Sequence, residues 1–207
     1  SIDKDVFARS SVEQIFIPPS IEFLGEGWCC GTSKLTRILI SKGNKHFSYA
    51  DKEKKMVVCK SDINSDVFDV LVFVSRDVKS VIVPSEIKEI RSFAFDECYH
   101  LKSVLFADDS ELKSINRYAF YHSTIEYLQI PKNVEELKNG WCCCVAKLNK
   151  VSISPLNTRF IFNGTDLIFG KSNEKSTDFD VLVFAFRDIK RAIIPSSIQT
   201  ISPFAFD

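Results

Sequence analysis

Apolar residues return along this chain in a fixed short phrase. Its first instance is Val12-x-x-Ile15-x-Ile17-Pro18-x-x-Ile21-x-x-Leu24. The same spacing opens again at Leu35-x-x-Ile38-x-Ile40, Val78-x-x-Val81-x-Val83, Leu101-x-x-Val104-x-Phe106 and Ile125-x-x-Leu128-x-Ile130. It recurs at Leu148-x-x-Val151-x-Ile153 and Ile189-x-x-Ala192-x-Ile194. Ile15 to Ile38, Val81 to Val104 and Leu128 to Val151 are each 23 residues apart. Apolar positions two apart predict a short strand with one buried face. One such unit cannot cover that face alone, so units stack and pair their strands in parallel. Pro18, Pro84, Pro131 and Pro195 follow the strand, where a missing N–H removes no ladder bond. The Ile21 and Leu24 positions then return the chain to the core on the convex side.

A longer repeat contains the short one. Trp28 and Trp141 are 113 residues apart, as are Phe7 and Phe120, Pro18 and Pro131, and Phe47 and Phe160. Phe68-Asp-Val-Leu-Val-Phe73 returns as Phe179-Asp-Val-Leu-Val-Phe184 at a shift of 111, so the second copy is two residues shorter between Phe160 and Lys171. The copies span 1–113 and 114–207, the second stopping part-way, which suggests a piece of a longer chain. Between Ile40 and Val81 lie 41 residues, read here as an irregular double turn with the charged loop Asp51–Lys55 in water. A period of about 20–29 residues with this apolar phrase is the leucine-rich-repeat pattern. The expected fold is therefore a leucine-rich-repeat solenoid of the α/β horseshoe class, mostly β. It would be one right-handed stack of about nine turns, with a parallel sheet on the concave face and no hinge at the copy boundary.

Composition narrows function by exclusion. The chain has 207 residues, 45% hydrophobic and 26% charged, with 27 basic and 27 acidic side chains. That balance gives no footprint for nucleic acid or for an anionic membrane surface. No apolar run is long enough to cross a bilayer, and no signal peptide is present in this segment. The seven cysteines are an odd number, so at least one is free or pairs with another chain.

The candidate chemistry lies in Gly25-Glu-Gly-Trp-Cys-Cys-Gly31 and its copy Lys138-Asn-Gly-Trp-Cys-Cys-Cys144. Aligning Leu137-Lys-Asn-Gly-Trp141-Cys142 with Ile90-Arg-Ser-Phe-Ala94-Phe95 puts Trp-Cys where another unit has Ala-Phe. One large and one small residue exchange places at near-constant volume, as a packed core tolerates. Cys29, Cys142 and Cys98 are then buried core thiols. Gly27 and Gly140 make room for the indole. Cys30, Cys143 and Cys144 are candidates to face outward and be redox-sensitive. Adjacent cysteines fit zinc-ligand spacing poorly, and no histidine is near either cluster. The glycines miss the dinucleotide-binding spacing by one residue. The two clusters lie several turns apart, beyond disulfide reach. His46, His100 and His122 belong to no catalytic motif, so neither an enzyme nor a cofactor is expected.

Ile82-Val-Pro-Ser-Glu-Ile-Lys-Glu-Ile90-Arg-Ser-Phe-Ala-Phe95-Asp-Glu-Cys98-Tyr-His-Leu101 resembles the BspA-like leucine-rich repeats, with their Ile-Pro-x-Ser-Val/Ile-x-x-Ile…Ala-Phe-x-x-Cys-x-x-Leu consensus. The Phe-Asp-Val-Leu-Val-Phe and Asn-Gly-Trp-Cys segments look like the surface antigens of this type in parasitic protists. The resemblance covers essentially the whole chain. It implies a secreted or cell-surface protein, non-enzymatic, that adheres to host proteins or cells. In that setting the sequon Asn163-Gly-Thr165 makes Asn163 a candidate glycosylation acceptor, though an unmodified turn asparagine fits equally.

Solenoids bind partners on their concave sheet. The residue between the two inward positions of each strand points out of it. In order these are Phe16, Leu39, Ile82, Leu105, Gln129, Ser152 and Ile193, flanked by Gln14, Arg37, Ser80, Ser103, Tyr127, Lys150 and Arg191. Four consecutive apolar residues on a solvent face mark a candidate protein-binding row. Phe16, Leu39, Ile82, Leu105, Gln129, Arg37 and Tyr127 are its expected contact residues. A face covered by its own loops or a neighbour is the plain alternative. The function expected is adhesion or recognition at a cell surface, with a host matrix or surface protein as partner. An intracellular scaffold is the alternative that free cysteines suggest.

Overall fold

The computed structural model describes residues 1–164 and 166–207. Among them there are strands and turns but no helix. The strands are β1 Gln14–Ile17, β2 Arg37–Ile40, β3 Phe47–Tyr49, β4 Met56–Cys59, β5 Val70–Val74, β6 Ser80–Val83, β7 Glu89–Ile90 and β8 Ser103–Phe106. They continue with β9 Ser114–Ile115, β10 Tyr127–Ile130, β11 Glu136–Leu137, β12 Lys150–Ile153, β13 Phe160–Phe162, β14 Leu167–Gly170, β15 Val181–Ala185 and β16 Thr200–Ile201. The whole is a parallel β-solenoid of about eight turns, close to the about nine expected.

The register is the one the alternation demands. β6, β8, β10 and β12 form one parallel sheet, with Val81 opposite Val104 and Ile82 opposite Leu105. Val81 and Val104 are buried, while Ile82 is 64% exposed. β1 and β2 pair in the same way, with Phe16 opposite Leu39. A second, narrower parallel ladder, β7-β9-β11, forms on the return side of each turn.

The long insertion differs from expectation. Residues 47–74 are not two irregular turns but an antiparallel meander, β3-β4-β5. Its Asp51–Lys55 loop is a hairpin turn, in which the Asp51 carboxylate accepts from the amides of Lys55 (3.0 Å) and Met56 (2.7 Å). β4 and β5 are buried on both faces, so they show no polar alternation to read. One face gives Met56, Val58, Leu71 and Val74 to the large central core. The other gives Val57, Cys59, Val70 and Val72 to an N-terminal core around Ile15, Trp28 and Leu35. The meander is thus a wall between two cores. β13-β14-β15 repeats it, with Ile168 and Phe184 on the central core and Leu167 and Leu182 on a third. The central core runs through Leu112 and Ile115, both fully buried, on either side of the copy boundary.

Two further differences follow. The strand ladder breaks between β2 and β6, which lie in separate sheets. The Tyr49 hydroxyl covers the open edge of β2, donating to the Ile38 carbonyl (2.8 Å) and accepting from the Ile40 amide (2.9 Å). The unit expected at Ile189–Ile194 is not a strand, and Ile193 is 72% exposed. Its counterpart β6 is held by β8 of the next turn, and no next turn within residues 1–207 supplies that partner.

Asparagines, one buried and one half-buried, tie adjacent turns. Asn157 donates to the carbonyls of Pro131 (2.9 Å) and Val134 (3.0 Å), and its Oδ1 accepts from the amides of Arg159 and Phe160. Asn44 makes the same four bonds to Pro18, Ile21, His46 and Phe47. Each fills hydrogen-bonding capacity that a chain leaving a strand would otherwise bury unpaired.

Candidate interaction surface and thiol groove

The sheet face carries the expected row, in two pieces. Phe16, 59% exposed, and half-buried Leu39 lie side by side on β1 and β2. Ile82 and half-buried Leu105 lie side by side on β6 and β8. Arg37 is exposed beside Leu39. In the second copy the row turns polar. The Tyr127 hydroxyl bonds the Ser152 hydroxyl at 2.8 Å, the Lys150 ammonium sits 5.5 Å over the Tyr127 ring, and Gln129 is half-buried between them.

On the other side of each turn the chain passes through two left-handed residues four apart. The first are Asp5, Gly27, Phe93, Tyr118, Gly140 and Phe204, and the second are Arg9, Gly31, Glu97, His122 and Cys144. Gly27 and Gly140 (φ 63° and 71°) therefore serve the backbone. A Cβ on Gly140 would meet the rings of Phe204 (3.1 Å) and Tyr118 (3.3 Å). Trp28, Cys29, Trp141 and Cys142 are all buried, in line with Ala94, Phe95, Ala119 and Phe120 of the intervening turns. Phe95 stacks on Phe120 at 4.7 Å, and Trp141 meets Phe120 edge-on at 6.3 Å.

All seven cysteines are free thiols. Burial pushes Cys29 and Cys142 up to about 12, and Cys98 and Cys59 to about 11. Such thiols are inert. Of the three expected to face outward, only Cys144 is exposed. Cys30 is half-buried, and Cys143 is buried under the neighbouring turn.

A buried cation sits behind Cys29. The Arg76 guanidinium donates to the carbonyls of Val74 and Ala94 (both 3.1 Å) and stacks on Phe73 at 4.7 Å. The sulfurs of Cys29 and Cys98 lie 3.6 and 3.8 Å from it. Asp96, also buried, accepts the Gly31 amide at 2.6 Å. Desolvation raises the Asp96 carboxyl to about 6, although Arg76 and the Gly31 amide pull it down. In the second copy Arg187 repeats Arg76, donating to Ala185, Ala205 and Cys142 carbonyls and stacking on Phe184 at 4.8 Å.

These turns border a groove of about 650 Å³ lined by Arg9, Cys30, Phe93, Glu97, Tyr118, Tyr121, His122, Cys143, Cys144, Phe204 and Asp207. The three histidines are scattered. His46 faces Glu22 at 3.8 Å, His122 faces Glu97 at 3.6 Å, and His100 is exposed.

Repeat phase, core positions and turn geometry coincide with one family description. The BspA type leucine rich repeat region matches residues 1–53 and 62–185, in six copies. The chain belongs to this family. No curated protein matches the sequence. Three solved structures resemble this BspA-type chain in fold. A leucine-rich repeat protein from Eubacterium ventriosum is 20% identical, with a TM-score of 0.60 over 70% of this chain and 37% of that one. The pneumococcal vaccine antigen PcpA is 21% identical, with a TM-score of 0.57 over 74% and 42%. A leucine rich cell surface protein from Faecalibacterium prausnitzii is 15% identical, with a TM-score of 0.53 over 95% and 52%. This BspA-type segment thus spans between about a third and a half of those chains. No helix among the described residues is long and apolar enough to cross a membrane.

Asn163 is exposed in the turn between β13 and β14, where its Oδ1 accepts from the amides of Asp166 and Leu167. Thr165 of its sequon lies outside the described residues. Sequence reasoning passed over Asn44, Arg76, Asp96 and Asp207. All belong to pairs at the long-repeat spacing, Asn44 with Asn157, Arg76 with Arg187 and Asp96 with Asp207, and identity across copies at polar positions was the available signal.

Proposed function

We propose that residues 1–207 are a non-enzymatic protein-interaction module of a cell-surface or secreted protein. It recognises a protein partner, with host extracellular-matrix or cell-surface proteins as the expected class. The contact is made by Phe16, Leu39, Ile82 and Leu105, with Arg37, Tyr127 and Gln129 at the margin. The observation that carries this reading is Ile82. It sits mid-strand, flanked by buried Val81 and Val83, and still leaves 64% of its surface in water. A large apolar side chain so placed gains nothing for folding, and exposed apolar clusters mark contacts. The cell-surface setting is supported by the printed descriptions of two structural neighbours, a vaccine antigen and a cell surface protein.

The test pairs folding with binding. Ile82→Asp should leave the melting temperature nearly unchanged and weaken capture by immobilised matrix proteins by at least about tenfold, as for a central interface residue. Val81→Asp should unfold the protein instead. Equal binding by wild type and Ile82→Asp would move the site off this face. Surface labelling of unpermeabilised cells with antibody to this segment tests location. Labelling only after permeabilisation would favour the intracellular-scaffold reading.

A further inference from the structure

The second copy brings together three ligands that adjacent cysteines alone cannot supply. Cys143 Sγ lies 3.5 Å from Cys144 Sγ, and Cys144 Sγ lies 3.7 Å from Asp207 Oδ2. Cys143 Sγ also donates to Asp207 Oδ2. All three ligand atoms lie within 4.8 Å of one another, the one such group among the described residues. Around a tetrahedral zinc, with Zn–S about 2.3 Å and Zn–O about 2.0 Å, neighbouring ligand atoms lie about 3.5–3.8 Å apart. The first two separations already have that size. We propose that Cys143, Cys144 and Asp207 form a binding site for one borderline-soft divalent cation, of which zinc is the biological representative.

The chain holds these groups by its fold. Cys144 is a left-handed residue (φ 57°), which turns its thiol beside that of Cys143. Asp207 is placed by the turn that packs on 140–144, where the Phe204 ring lies against Gly140. Arg187 carries positive charge toward all three groups. Two thiolates, one carboxylate and a divalent ion leave one net negative charge, which Arg187 offsets. Cys143 is raised by burial and by its bonds to Asp207 and Cys144, so it is a thiol in the free protein. A cation reverses that balance, and its binding displaces the Cys143 proton to water. Cys144 opens onto the groove, which leaves a fourth position for water or an incoming ligand. Two sulfurs and a carboxylate select zinc, cadmium or cobalt over magnesium or calcium.

The first copy is an internal control. Its equivalents are Cys30, Gly31 and Asp96. There the aspartate takes the Gly31 amide, and the single thiol turns to Asp5 at 3.7 Å. One thiol beside a backbone-bonded carboxylate is no site.

Cobalt(II) titrated into the fully reduced 207-residue protein tests the proposal. The expected result is one ion per chain, with visible bands of tetrahedral cobalt, thiolate charge-transfer absorbance, and displacement by zinc but not by excess magnesium or calcium. Cys144→Ser and Cys143→Ser should each abolish the thiolate bands. Asp207→Asn should weaken binding at least about tenfold. Cys30→Ser should change nothing. Cys144 is exposed, so Cys144→Ser should melt as the wild type does without metal. Absence of the bands in reduced protein, their persistence in Cys144→Ser, or their loss in Cys30→Ser would each overturn the assignment.

Discussion

Replacing Asp96 by Asn should remove a specific piece of this protein's pH dependence. The Asp96 carboxyl is fully buried, with Oδ2 on the Gly31 amide and Oδ1 without a partner. Desolvation outweighs the attraction of Arg76 and raises its pKa from 3.8 to about 6. Below about pH 4 the group is protonated in both folded and unfolded chains. Between about 4 and 6 the folded chain keeps a proton that the unfolded chain has lost. Stability therefore falls as pH rises through this window, and the contribution is fully lost above about 6. Two units of separation correspond to about 3 kcal/mol. Asp69 and Asp77 are lowered, Asp69 by bonds from Ser61 that outweigh its burial and Asp77 chiefly by Lys55. Their contribution runs the other way, lost as pH falls below 3.8, and it is common to both proteins. Urea unfolding of wild type and Asp96→Asn at pH 4, 5, 6 and 7.5 isolates the Asp96 part. The stability difference between them should change by about 3 kcal/mol from the first pH to the last, in favour of the variant at high pH. Parallel curves would show that Asp96 is not desolvated as described, and that Arg76 neutralises it outright.

Asn157→Ala should destabilise by about 2–4 kcal/mol in a denaturant titration, since it leaves two carbonyls and two amides without their partner. Asn44→Ala should act in the same direction but less, because Asn44 is only half-buried and water can replace it. Gly140→Ala should lower stability by about 1–2 kcal/mol, the left-handed cost alone, because Phe93 and Tyr118 already place side chains at the equivalent position. A much larger loss would mean that the Phe204 and Tyr118 rings cannot yield. A partner that binds wild type should lose more affinity to Ile82→Asp than to Gln129→Asp when measured on the same surface, since only the former removes buried apolar contact.

The strand phrase was legible because its constraint is local. Ile15 and Ile17, or Val81 and Val83, must share a face, and the 23-residue return fixes which strand each meets. The meander was not legible for the opposite reason. β4 and β5 are buried on both sides, so Val57 and Val58 look alike in sequence although they serve different cores. Nothing local marks Tyr49 as the residue that closes the edge of β2. The left-handed turn positions were half legible. Glycine at 27 and 140 advertises them, but Phe93, Tyr118 and Phe204 occupy the same site with aromatic rings and no such signal. The thiol groove was hidden for a third reason, which is distance. Cys143 and Asp207 are 64 residues apart and meet because the second meander returns the chain one turn along the stack.

That return also explains how two copies of one sequence can be made to differ. The copies share a scaffold set by buried side chains, the Trp-Cys turns, the paired meanders, and Asn44 with Asn157. Their differences fall where the scaffold is indifferent. On the sheet face, Ile82 and Leu105 give way to Gln129 and Ser152, with the strand register intact. On the turn side, Gly31 gives way to Cys144 at a left-handed position that accepts both, φ 69° and 57°. The first exchange removes outward-facing apolar side chains, and the second adds a thiol. Neither touches the core, and a Cβ at position 31 meets the exposed Arg9, whose Cγ (2.9 Å) must give way. A solenoid that buries every unit against its neighbours leaves such outward positions free to diverge one at a time. Swapping Gly31 for Cys in the first copy should therefore fold, yet still bind no cobalt(II) there, because the Asp96 oxygen remains held by the backbone amide of residue 31. Tight tetrahedral binding of a second cobalt(II) per chain by Gly31→Cys would show that the thiol pair alone makes the site, and that Asp207 is incidental.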